Sequence, residues 1–96
     1  MSFKVRILRA KGGEETIEVN ALHEIEKHIG AMGLDTVNLR TEDQQIMLVD
    51  DMGHQRPDRP EVNIEATKLY HSVCRPGTIH MILGDAAIVR DNEVGQ

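Results

Sequence analysis

Gln45-Ile46-Met47-Leu48-Val49-Asp50 decides the architecture. Successive side chains of a strand point to opposite faces, so four consecutive apolar residues put hydrophobic groups on both. A strand of that kind belongs in the interior of a sheet. Just upstream, Thr36 to Arg40 reads as a second strand, separated from the first by the polar turn Thr41-Glu42-Asp43. Toward the N-terminus, Phe3, Val5 and Ile7 alternate with Lys4 and Arg6, and Thr16-Ile17-Glu18-Val19 resumes the alternation after Lys11-Gly12-Gly13. Residues 3 to 19 therefore read as a hairpin. Toward the C-terminus, Ile79 to Leu83 and Ala86 to Arg90 read as two more strands joined by a tight Gly84-Asp85 turn.

Two helices complete the pattern. Asn20 offers an N-cap to a helix in which Leu22, Ile25, Ile29 and Met32 recur at helical spacing, with Glu24 placed to pair with Lys27 or His28 and with Gly30 and Gly33 marking the end. Asn63 can cap a second helix that carries Ala66, Leu69, Tyr70 and Val73 inward, runs to about Cys74 and stops at Pro76-Gly77. Pro57 and Pro60 make residues 52 to 61 an irregular loop. The expected fold is α+β: a mostly antiparallel sheet of about six strands in the order β-β-α-β-β-α-β-β, with both helices on one face. Residues 1–96 form a single domain whose tail, 91–96, is expected to fray.

The chain has a formal charge of −5, distributed unevenly. Residues 1 to 40 hold six acidic and six basic side chains, whereas residues 41 to 96 hold ten acidic and five basic. This balance disfavours a nucleic-acid backbone and an anionic membrane surface, and it suits a basic protein surface. The start Met1-Ser2-Phe3-Lys4 has no apolar run of signal-peptide length, and the single cysteine, Cys74, excludes an intrachain disulfide. A cytoplasmic protein is expected.

Reactive side chains collect between Asp50 and Asp85, in segments that read as loops or element ends. Asp50 and Asp51 end a strand, so alternation sends their carboxylates apart; one could still orient His54 for base work or join it on a metal, although Asp51-Met52-Gly53-His54 reads first as a plain turn. His54, His71, Cys74 and His80 have zinc-ligand chemistry, but only His71 and Cys74 form a close pair where structural zinc sites usually show two. Arg56, Arg59 and Arg75 could grip a carboxylate or phosphate, with Asp58 and Glu61 beside them as local ion-pair partners. Tyr70 reads as an inner-face helix residue with its hydroxyl at the rim. No phosphate-binding loop, dinucleotide fingerprint or complete catalytic motif is present, and no cofactor is expected.

Four stretches carry a resemblance: the Leu22 to Gly30 helix closing in glycine, Val49-Asp50-Asp51-Met52-Gly53, Val62-Asn63-Ile64-Glu65-Ala66-Thr67, and Ile82-Leu83-Gly84-Asp85-Ala86-Ala87-Ile88-Val89. Together they resemble a family of small phage- and plasmid-borne proteins, domain of unknown function 3846. Its members usually carry Glu-Glu-Gly where this chain has Asp51-Met52-Gly53, and a second glycine where it has Ala31. The resemblance implies an accessory protein of a mobile element or its bacterial host and transfers no catalytic residue.

Two functional expectations follow. The first is an interaction module that binds another protein through its acidic C-terminal half and the 52 to 61 loop; a second copy is a further expected partner, since a sheet covered on one face leaves a face and edges open. The other is a small ligand- or metal-binding protein or hydrolase with Asp51, His54, Tyr70, His71, Cys74, Arg75 and His80 around one pocket.

Overall fold

The computed structural model describes residues 2–31, 33–42, 44–50, 60–74 and 76–90 of the 96-residue chain. Within them lie five strands, β1 (Phe3–Leu8), β2 (Glu14–Val19), β3 (Leu34–Asn38), β4 (Gln45–Asp50) and β5 (Ala86–Arg90), and two helices, α1 (Leu22–Ile29) and α2 (Ile64–Val73). The sheet is antiparallel throughout, in the order β2-β1-β5-β4-β3. β4 is interior, as its two apolar faces require. The centre belongs to β5, whose Ala86 to Val89 are all buried.

The helices lie on opposite faces, not on one. Val5, Ile7, Leu48, Ala87 and Val89 pack with Ile25 and Ile29 of α1, while Leu8, Met47, Val49, Ala86 and Ile88 pack with Ala66 of α2. Alternation explains the split: Met47 and Val49 point one way and Leu48 the other, and each group needs its own cover.

The expected Ile79 to Leu83 strand does not form, and Gly84-Asp85 does not close a hairpin. The segment makes one isolated bridge, Val62 with Leu83. Both edges of β5 are taken by β1 and β4, so the preceding residues bond elsewhere. Asn63 N–H donates to the Ile82 carbonyl at 2.8 Å, Gly84 N–H to the Glu61 carbonyl at 2.7 Å, and Ile82 N–H to Thr67 Oγ1 at 3.0 Å.

The helix starts differ from expectation at one end of the chain only. α1 is capped at Ala21, whose side chain cannot accept a bond; the Glu24 carboxylate reaches back to the Asn20 and Ala21 amides instead of pairing along the helix. Those two amide donors hold its pKa below the usual carboxylate range. α1 ends at Gly30 in the left-handed region, φ 66°, and Met32 lies outside the described residues. α2 starts at Asn63 as read, with Oδ1 accepting from Ala66 N–H at 3.0 Å. β3 begins two residues earlier than expected and stops at Asn38, because Arg40 turns into the left-handed region (φ 56°) as the chain enters the β3–β4 loop. Among the described residues no helix is long and apolar enough to cross a membrane.

Candidate functional site

The end of the sheet near α2's start is built around a buried asparagine. Asn63, 1 % exposed, uses its side-chain carbonyl on the helix and its amide on two carbonyls, Leu8 at 2.8 Å and Gly84 at 3.0 Å. One side chain thus ties β1, α2 and the 82–84 turn together. Every one of these bonds is internal, so Asn63 positions and does not bind. Gly84 completes the turn with φ 79°, its α-carbon so close to Pro60 that an added Cβ would stand 3.3 Å from the Pro60 Cβ.

The turn aims Asp85 back at β1. Its carboxylate accepts from Arg9 at 2.7 Å and from the Ala10 amide at 2.8 Å. Arg9 also bonds Glu15 and, at 2.9 Å, the His28 carbonyl. Glu15 first and Asp85 second hold the Arg9 guanidinium above even its ordinary pKa. Beside this knot opens a cleft of about 530 Å³ that includes Lys11, Asp50, Pro60 and Glu61 in its lining. Two expected site residues, Asp50 and Glu61, therefore meet in one cleft. The arginine there is already committed to two carboxylates.

Across the Pro60–Glu61 wall lies a groove of about 650 Å³, lined by Pro60, Glu61, Val62, Ile79, His80, Met81 and Leu83. Its lining is unusual for a surface. Ile79 is 86 % exposed, Met81 47 % and Val62 39 %. The expected strand would have hidden Ile79 and Met81; the segment instead tucks in Ile82 and Leu83 and turns Ile79 and Met81 outward.

A clasp at the end of α2 holds that segment. His71 Nε2 meets the His80 carbonyl oxygen at 2.7 Å, and the Tyr70 ring stands 6.0 Å from His71 and 5.8 Å from His80, edge-on to the latter. The Cys74 side chain, ahead of partial burial and the Asp35 charge, raises the Tyr70 hydroxyl pKa above the usual 10. Four expected site residues, Tyr70, His71, Cys74 and His80, thus do gather. His80 lies exposed. Among the described residues no group of three or more His, Cys, Asp or Glu could hold a metal ion. Asp51, His54, Arg56, Asp58, Arg59 and Arg75 lie outside the described residues.

The buried amide of Asn63, the Arg9–Asp85 pair and the outward Ile79 leave no mark in the local sequence pattern. Asn63 looked only like a cap, and its other role depends on carbonyls 55 and 21 residues away. No family model, curated protein or solved structure matches the chain.

Proposed function

We propose that the chain is a protein-binding module whose contact surface is the groove between Pro60–Val62 and Ile79–Met81. The observation that carries this reading is Ile79, 86 % exposed beside Met81 and Val62 on one side of the molecule. Contiguous exposed apolar groups beside polar ones mark interaction surfaces. Burying an isoleucine side chain is worth about 1.5–3 kcal/mol.

The partner offers an apolar side chain next to basic residues. Glu61 lines the groove, Glu65 stands exposed on the first turn of α2, and the C-terminal half is acidic overall. The acidic surface steers a basic rim inward, and the groove supplies the contact. An accessory role in a mobile element or its host, implied by the family resemblance, belongs to the same proposal.

A photo-crosslinking residue at position 79 tests it. The expected product joins the chain to a different protein, and Ile79→Asp with Met81→Asp abolishes capture while leaving unfolding unchanged, because both side chains are exposed. Capture undiminished in that double variant would remove the groove as the contact surface. A product of twice the chain's mass would make the chain its own partner.

A further inference from the structure

The strand registers set side chains out in rows on the face that carries α2. Lys4 stands opposite Glu18, Arg6 is opposite both Thr16 and Ile88, and Arg90 is opposite Gln45. The β1–β5 ladder stops at Arg6–Ile88 although both strands continue. Carrying its register two residues further sets Lys4 opposite Arg90. Like charges directly opposite on neighbouring strands are destabilising; the ladder ends before these two cations pair, both line one depression, and an anion between them would offset their repulsion.

The surface at this point is a depression of about 440 Å³ with Lys4, Arg6 and Arg90 around it, Thr16 and Gln45 as further hydrogen-bonding groups, and Ile88 in its lining. No described carboxylate lines it, in a chain that carries 16 acidic residues. Arg6 is held by Glu14 at 2.9 Å, with side chains 45 % and 51 % exposed. An exposed pair of this kind is weak, so a ligand of higher charge can share the guanidinium. Lys4 forms no ion pair among the described residues.

We propose that this open end of the sheet binds a compact polyphosphate group, with Lys4, Arg6 and Arg90 as its charged ligands and Thr16 and Gln45 as hydrogen-bonding groups. Guanidinium forks and an ammonium match phosphate oxygens. The size limit follows from the surroundings. Glu14 and Glu18 border the patch along β2, and the chain as a whole is negative, so a long polyanion would run from the patch onto a repelling surface. Base stacking is not provided either: the aromatic residues are one phenylalanine and one tyrosine. Phe3 packs toward the α1 side, and Tyr70 packs against the α2 core.

Calorimetric titration of the full chain with inorganic tripolyphosphate is the test, at low salt and repeated at higher salt. Binding is expected, weakening as salt rises, and at least tenfold weaker in Lys4→Gln with Arg90→Gln. Lys27→Gln with Arg40→Gln removes the same charge from other exposed positions and should leave the affinity within about twofold. A nucleoside triphosphate in a parallel arm separates a phosphate site from a nucleotide site: equal affinity indicates phosphates alone, and tighter binding adds the nucleoside to the same site. No binding of tripolyphosphate, equal weakening by the two double variants, or tighter binding of a single-stranded oligonucleotide than of either small ligand would overturn the proposal.

Discussion

Asn63 joins three parts of the chain through one amide, and its two ends can be separated by substitution. Asn63→Asp keeps an acceptor for Ala66 N–H but leaves the Leu8 and Gly84 carbonyls without their donor and buries a charge. Asn63→Ala loses the cap as well. A lost N-cap costs about 1 kcal/mol and each stranded buried group about 1–3, so Asn63→Ala, which loses the cap and strands two carbonyls, should lower stability by at least about 3 kcal/mol in urea unfolding. Asn63→Asp should be comparably harmful at neutral pH and partly recover in acid, where the protonated carboxyl regains a donor; an unchanged urea midpoint would show that the amide bonds are dispensable.

Tyr70 gives a second handle because it is the chain's one tyrosine. Its folded pKa is raised, so the stability it contributes is fully present below about pH 10 and is lost as pH rises through the folded value. Tyrosinate absorbance should therefore rise with a midpoint above 10. In Cys74→Ala, which removes the leading cause, the midpoint should fall back toward 10 while the protein stays folded.

Among the elements, the stretch from Thr78 to Leu83 departs furthest from its pattern. Its Ile-His-Met-Ile-Leu run has strand composition, but β5 has no free edge to offer it. The segment is fastened to α2, through Thr67 and His71. Thr67→Val removes the acceptor of the Ile82 amide at nearly constant shape, at a cost of about 1–2 kcal/mol. Hydrogen exchange should speed up at Ile82, and thermolysin should cut near Ile79–Met81 sooner, with β5 protection retained. If Ile82 exchange is unaltered, the Thr67 hydroxyl is not what secures the segment. The same element shows what local pattern can and cannot tell. Residues 3 to 19 and 63 to 74 were readable because turn, cap and periodicity agree within a few neighbours. Sheet order was not, since nothing local says that β5 lies between β1 and β4. The placement of the helices was half legible: Ile46-Met47-Leu48-Val49 is apolar on both sides, which calls for cover on both faces, but neither helix says which face it takes.

At the scale of the molecule, the groove, the Arg9–Asp85 cleft and the basic patch all depend on β5 or on the chain leading into it. Reactive residue types between Asp50 and Asp85 were visible in the sequence. Their partition into a clasp, a cleft and a groove required the turn at Gly84 and the long-range bonds of Asn63. The cations of the patch lie elsewhere, two on the first strand and one on the fifth, and what brings them together is register between strands, not spacing along the chain.

The central strand of the sheet is also the last of the five in chain order. Two hairpins, residues 3–19 and 34–50, can form as soon as they are made, but they meet only across β5. Until residue 90 has been synthesised, β1 and β4 each present an edge of unpaired backbone N–H and C=O groups to an empty slot, and the non-local pairings that close it come late and slowly. During that interval the slot is open to β5 from any neighbouring copy, so dimers formed by strand exchange are the expected error at high expression, and size-exclusion chromatography would reveal them.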